Sequence, residues 1–273
     1  MSPASDPTQY PVVILCGGQG TRLREETEKI PKPLVDIGGR PILWHIMKIY
    51  GRHDPYRFVL CLGYKSNLIK DYFLSYRAHL ADFTIRMNDN HAIDHHNDLG
   101  NEAWEITCAE TGLLTGTGGR LRRVRDYIDT DTFYFTYGDG VADVDIAALT
   151  RFHREQGRIA TVTGVRPASR YGELETDGSA VTSFSEKPSS ETGMINGGFF
   201  VFDRAVFDYL SDEPGLMLEQ EPLRRLVADG ELSVFPHDGY WLGMDTYRDY
   251  LELNRLWNSG EVPWNPDLRD TYR

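Results

Sequence analysis

Near the N-terminus, Pro11-Val12-Val13-Ile14-Leu15-Cys16 is apolar nearly throughout and gives way to Gly17-Gly18-Gln19-Gly20-Thr21-Arg22. A short β-branched run without polar alternation reads as a strand buried on both faces, the habit of parallel sheets covered by helices. The glycines that follow are too permissive for a regular element and read as the loop leaving the strand's carboxyl end. In an open α/β sheet that end is where ligands collect.

The pattern downstream agrees with this start. Residues 41–50 predict a helix opened by proline, with Leu43, Ile46, Met47 and Tyr50 on one side. Residues 57–61 predict a strand, 66–73 a helix and 83–87 a third strand. Further strands are expected at 133–137, 160–165, 195–202 (interrupted by Gly197-Gly198) and 232–235. Helices are expected at 120–127 with a basic face, at 145–156 closed by Gly157, and at 246–257. The βαβ rhythm implies a doubly wound sheet. Residues 88–119 break the rhythm: they are polar, carry His91, His95 and His96, and turn threonine- and glycine-rich, which suggests an inserted substructure or functional loop. The expected organisation is a tail at 1–10, one domain at 11–258 with that insertion, and a tail at 259–273.

Composition narrows the partners. The 273 residues carry a net charge of −12, against the basic excess usual in nucleic-acid or anionic-membrane binders. A hydrophobic share of 40% is unlike a disordered chain. Cys16, Cys61 and Cys108 contain no CxxC pair and make no disulfide framework. The first ten residues hold no apolar signal segment and no apolar run is long enough to cross a membrane, so a reducing cytoplasm is expected.

Several side chains could carry chemistry. The amides of Gly17, Gly18 and Gly20 can cradle phosphate oxygens, with Thr21 and Arg22 adding donors; the plainer reading is a tight strand-to-helix turn. The pattern is neither the dinucleotide fingerprint nor a Walker A loop. Lys32, stiffened between Pro31 and Pro33, either neutralises a phosphate or sits in solvent. Asp139, flanked by Gly138 and Gly140 at a strand end, suits a hard cation. Asp245 is either its partner or a helix N-cap, a role open equally to Thr246. Glu186-Lys187-Pro188 forms a charged loop or an exposed ion pair. Asn196 lies in an apolar stretch, and Arg170-Tyr171-Gly172 marks a turn. With no GxSxG and no nucleophile pair, the set points to metal-assisted phosphoryl or nucleotidyl transfer.

The strings Leu15-Cys16-Gly17-Gly18-Gln19-Gly20-Thr21-Arg22-Leu23 and Pro31-Lys32-Pro33-Leu34-Val35 resemble the signature of sugar-1-phosphate nucleotidyltransferases. PILWHIMKIY at 41–50, TGGRLRRV at 117–124, FTYGDGVADVDI at 135–146, EKP at 186–188 and MINGGFFVF at 194–202 resemble the cytidylyl branch that acts on glucose 1-phosphate. The resemblance covers about residues 12–264. It implies a Rossmann-like α/β fold with a mixed, mostly parallel sheet flanked by helices, and inserted subregions for sugar binding (about 165–205) and oligomerisation. It implies CTP and glucose 1-phosphate as substrates, Mg²⁺ as cofactor and a homo-oligomer, with hexamers among the forms of the branch. Carried over, Arg22, Lys32 and Asp139 are catalytic. Leu15, Gly17, Gly18, Gly20, Thr21, Arg22, Arg120 and Gly138 bind the nucleotide. Lys32, Tyr171, Gly172, Glu186, Lys187 and Asn196 bind the sugar phosphate. Asp139 and Asp245 hold the metal, while Arg120 and Asn196 correspond to the branch's base contacts. One departure is Ile30, with Lys29 behind it, where the branch's second lysine would precede Pro31. Alternatives are a uridylyl- or thymidylyltransferase, or a catalytically inactive regulatory relative.

Overall fold

The computed structural model describes residues 10–18, 20, 29–51, 57–88, 91–96, 102–166, 173–177, 180–185 and 193–265. Seven strands form the main sheet: β1 (Val12–Leu15), β2 (Arg57–Leu62), β3 (Glu105–Glu110), β4 (Thr132–Tyr137), β5 (Ala160–Val165), β6 (Ile195–Asp203) and β7 (Leu232–His237). Their spatial order is β7-β5-β6-β4-β1-β2-β3. All pairings are parallel except the two that β6 makes with β4 and β5. The expected mixed, mostly parallel sheet is therefore present.

Strand alternation divides the core between the two faces of this sheet. Val12 and Ile14 of β1, Phe58 and Leu60 of β2 and Tyr134 of β4 enter one buried cluster. Val13, Val59, Cys61, Phe133 and Phe135 enter the other. Helices cover both sides because both faces are apolar. On the first face lie α1 (Ile42–Tyr50) and α2 (Ser66–Leu74), and the short α3 (Tyr76–Leu80) is tied to α1 by the Trp44 indole N–H donating to Tyr76 Oη at 2.9 Å. The second face takes Leu121 of α4 (Thr117–Arg123). Next come α5 (Ile146–Gln156), α6 (Glu221–Ala228) and α7 (Tyr247–Ser259), which send Leu149 and Leu253 to the first face and Leu226 to the second. Caps set several ends. The Asp145 carboxylate accepts from the Ala148 amide at 2.8 Å to start α5, and Gly157 closes it at φ 60°.

Four local expectations are corrected. Residues 88–119 are not one irregular insertion: Glu105–Glu110 is the edge strand of the main sheet and α4 begins at Thr117. The polar sequence of β3 belongs to a strand paired on one side only, whose outer face is free to be polar. Phe83–Arg86 is a strand as expected, but it pairs with Ala92–His95 in a separate ribbon. The basic helix begins at Thr117 rather than 120 and turns Arg120 inward, to 4% exposure. Gly197 and Gly198 do not break β6; the chain passes them as one strand, with a register shift at Val162 and Gly164 of β5.

One buried group makes the fold sensitive to acid. His45 on α1 donates from Nε2 to the Ile37 carbonyl at 2.9 Å and accepts the Trp264 indole N–H on Nδ1 at 3.3 Å. Burial lowers its pKa from 6.5 to about 4, because a second ring proton would face both an apolar shell and the indole donor. The unfolded chain takes up that proton first. The stabilisation is therefore complete above pH 6.5 and is lost, by about 3 kcal/mol, as pH falls towards 4. NMR titration of the imidazole is expected to show a midpoint near 4; a midpoint at the ordinary histidine value would refute this account.

Candidate active site

β1 leads to β2 and β3 on one side, whereas β4 returns to the other side of β1. The strand order thus reverses between β1 and β4, and a crevice opens beyond their carboxyl ends, the standard ligand position in such sheets. A cavity of about 600 Å³ lies there, lined by Leu15, Gly17, Gly18 and Gly20 after β1, by Lys32, and by Gly138 and Asp139 after β4. Asp245, Arg120 and Tyr137 complete the walls already foreseen or adjoining them, and Leu113, Leu114 and Met217 add an apolar side.

The two aspartates meet through backbone pairing. Gly140–Ala142 pairs antiparallel with Trp241–Gly243, and the Met244 amide donates to the Asp139 carbonyl at 2.8 Å. The choice left open between Asp245 and Thr246 as helix cap is also decided. Thr246 caps α7, with Asp249 closing the capping box, so the Asp245 carboxylate serves the cavity. Lys32 starts a 3-10 turn (Lys32–Leu34) after Pro31 and donates from Nζ to Asp139 Oδ2 at 2.6 Å and Asp245 Oδ1 at 3.0 Å. Its side chain is only 12% exposed. Burial alone would lower the lysine pKa, but the two carboxylates more than offset it and hold the ammonium above its ordinary value.

Two glycines are required by close approach. A Cβ on Gly138 would stand 2.4 Å from the Leu15 carbonyl oxygen, so glycine lets the ends of β1 and β4 meet. A Cβ on Gly17 would fall 2.0 Å from Arg120 Nη1. That guanidinium lies beneath the glycine loop. Nη1 donates to the Leu62 carbonyl and Thr111 Oγ1 at 3.0 and 2.7 Å, and Nη2 to the Gly17 and Leu113 carbonyls at 3.0 and 3.3 Å. Burial lowers its pKa from the ordinary arginine value.

Asn196, on β6, donates from Nδ2 to Tyr137 Oη at 3.2 Å. The structure therefore brings Leu15, Gly17, Gly18, Gly20, Lys32, Arg120, Gly138, Asp139 and Asp245 to one cavity, with Asn196 behind Tyr137. Thr21, Arg22, Tyr171, Gly172, Glu186 and Lys187 lie outside the described residues. Sequence reading missed the wall made by Leu113, Leu114 and Met217. The available signal was adjacent leucines inside a Gly/Thr-rich loop, 53% and 82% exposed in the structure. Cys16 and Cys61, read as buried thiols, are buried, and burial pushes the Cys61 thiol up to about 12.

The carboxylate pair fits a metal. Both carboxylates reach the same cationic atom, so they are spaced to grip one small cation. An all-oxygen donor set suits a hard ion. Among the described residues no group of three or more His, Cys, Asp or Glu side chains converges, so any further ligands would come from phosphate and water.

The chemistry of this glycine loop and these charges suits phosphorylated ligands, and comparison with known proteins identifies the class. The nucleotidyl transferase family model matches residues 11–259, and the chain belongs to that family. Glucose-1-phosphate cytidylyltransferase of Salmonella typhi is 49% identical over 253 residues, covering 92% of this chain and 97% of the relative. A probable glucose-1-phosphate cytidylyltransferase of Bacillus subtilis (strain 168) is 47% identical over 92% of this chain and 98% of its own length. The crystal structure of HddC from Yersinia pseudotuberculosis complexed with GMP-PN matches with a TM-score of 0.66 at 26% identity, covering 91% of this chain and 99% of that one.

Proposed function

We propose that this chain transfers the cytidylyl group of CTP to α-D-glucose 1-phosphate, giving CDP-glucose and pyrophosphate. The observation that carries the transfer chemistry is the Lys32 ammonium gripped by Asp139 and Asp245 beside the glycine loop. The cytidylyl and glucosyl specificities rest on the relatives' 47–49% identity over nearly their full lengths.

An oxygen of the sugar phosphate attacks the α-phosphorus in line. The new O–P bond forms as the bond to the leaving pyrophosphate breaks. The attacking monoester is already largely dianionic near neutral pH, its second pKa being about 6, so no general base is needed. Positioning and charge neutralisation then supply the rate. The amides of Gly17, Gly18 and Gly20 present donors to the triphosphate. Lys32, released from the carboxylates, would serve the α-phosphate and the sugar phosphate, and Asp139 and Asp245 would hold Mg²⁺. Bound there, the cation would neutralise phosphate charge. Arg22 serves the β- and γ-phosphates. Tyr171, Gly172, Glu186, Lys187 and Asn196 serve the sugar phosphate.

Arg120 contributes first by fixing the loop beneath the nucleotide. All four Nη hydrogens have acceptors within the protein, so donation to cytosine O2 or N3 would exchange the longest bond, to the Leu113 carbonyl. The apolar wall of Leu113, Leu114 and Met217 suits the flat faces of a base.

The domain is a single nucleotidyltransferase unit at 11–258 and acts in the cytoplasm, where three unpaired cysteines persist. No described helix is long and apolar enough to cross a membrane. The protein is a homo-oligomer: Phe83, Ile85 and Ile93 on the two-stranded ribbon are 42–48% exposed, an apolar surface suited to a second copy. Light scattering is expected to give a multiple of 31.1 kDa; one chain mass would rule the assembly out.

The deciding experiment is pyrophosphate release with Mg²⁺, crossing CTP, UTP, dTTP, ATP and GTP with several sugar 1-phosphates. Release confined to CTP with glucose 1-phosphate supports the full reading. Preference for another pair keeps the chemistry and removes the specificity, and silence with every pair removes the reading.

A further inference from the structure

The hydroxyls of two side chains that line the cavity, one on the loop-to-helix segment and one on β4, converge on one carboxylate that the transfer chemistry leaves unused. Thr117 Oγ1 donates to Glu219 Oε2 at 2.6 Å, and Tyr137 Oη donates to Glu219 Oε1 at 2.5 Å. Every partner fixes the direction of these bonds. Thr117 Oγ1 accepts the Leu218 amide at 2.8 Å, which turns its own proton towards Glu219. Tyr137 Oη accepts from Asn196 Nδ2 at 3.2 Å, and Asn196 Oδ1 accepts the Gly198 amide at 2.8 Å. Burial and the adjoining carboxylate push the Tyr137 phenol well above its ordinary pKa and keep it a donor.

Each end of this chain is attached to machinery. Thr117 opens α4, which carries Arg120, and Arg120 holds the Gly17 carbonyl under the glycine loop. The backbone around it is docked to the same segment as Glu219, through Gly116 N to the Pro214 carbonyl at 2.7 Å and Gly119 N to the Leu216 carbonyl at 3.1 Å. Tyr137 stands two residues before Asp139 and orients the amide of Asn196. Hydrogen bonds to an ionised acceptor are about twice as strong as neutral ones, so a single carboxylate can set both walls.

We propose that Glu219 is a positioning residue that couples the nucleotide wall, through Thr117, to the acceptor wall, through Tyr137 and Asn196. Glu219 touches neither substrate; it fixes the separation across which the two phosphates must meet. The assignment of the walls to nucleotide and acceptor rests on the proposed function, whereas the mechanical coupling does not.

The test combines steady-state kinetics with amide hydrogen exchange on the ligand-free protein. Glu219→Ala is expected to raise KM for both substrates about 10-fold, the scale of one lost charged hydrogen bond, while kcat moves less than either KM. Thr117→Val raises chiefly KM for the nucleotide and Tyr137→Phe chiefly KM for the sugar phosphate. Glu219→Gln, which keeps the shape and one acceptor, recovers part of the loss. In exchange, Glu219→Ala speeds residues 113–117 and 196–198 together and leaves β2 unchanged. Unchanged KM values, or a rise in only one of them, overturn the proposal, as does unaltered exchange in either segment. A wild-type protein inert towards every substrate pair removes the proposed function instead, and the exchange measurement still decides the coupling.

Discussion

Lys32→Ala lowers kcat/KM by about 10³-fold while the circular dichroism spectrum stays that of the wild type, because the variant removes a preorganised charge from the site of phosphate transfer. The side chain is 12% exposed and sits on a turn fixed by the Leu34 amide to the Pro31 carbonyl and the Val35 amide to the Lys32 carbonyl. Truncation therefore leaves the backbone a reason to stay where it is. The same variant leaves Asp139 and Asp245 facing each other without their shared cation, and like charges so placed repel. Its thermal midpoint should accordingly rise more than that of the wild type when Mg²⁺ is added. Steady-state pyrophosphate release and thermal scans with and without Mg²⁺ check the two halves separately. Near-normal turnover would reduce Lys32 to a structural counter-ion, and a thermal response equal to the wild type's would remove the carboxylate pair as a cation site.

Asp139→Asn is expected to raise the Mg²⁺ concentration for half-maximal rate and to lower kcat by about 10²-fold or more, since a neutral amide oxygen is a poorer ligand for a hard cation. Lys32 keeps its 3.0 Å bond to Asp245, so the turn and the strand end remain supported. Gly138 still lets β4 approach the Leu15 carbonyl, which keeps residue 139 in place. A Mg²⁺ titration of the rate and direct calorimetric titration of the cation into the nucleotide-free variant distinguish weakened binding from slowed chemistry. An unchanged metal response in both would place the cation elsewhere.

Much of this was legible before folding. The apolar runs at β1 and β2, the first of them rich in β-branched residues, could only be buried on two faces, and the structure buries Val12 and Val13 in opposite clusters. Lys32 and Asp139 stood out because proline and glycine shape the backbone immediately beside them. β3 was hidden because an edge strand tolerates polar residues, so the local pattern carried no period. From its own residues Arg120 belonged to a basic helix face, and only the family resemblance assigned it to the nucleotide, because helical phase cannot be judged when the start is misplaced by three residues. The structure instead buries it under four acceptors.

By itself the sequence determined the class of sheet, the glycine loop at the end of its first strand and the residue types able to handle phosphate, since each depends on the backbone freedom or hydrophobic period of a few neighbouring residues. Tertiary structure alone decided which of those residues meet. Asp245 joins Asp139 only because Gly140–Ala142 pairs with Trp241–Gly243, and Glu219 reaches Thr117 and Tyr137 across separations of 102 and 82 residues. Strand order and long-range pairing are settled by burying the whole apolar surface at once, a property of the entire chain that no local stretch encodes.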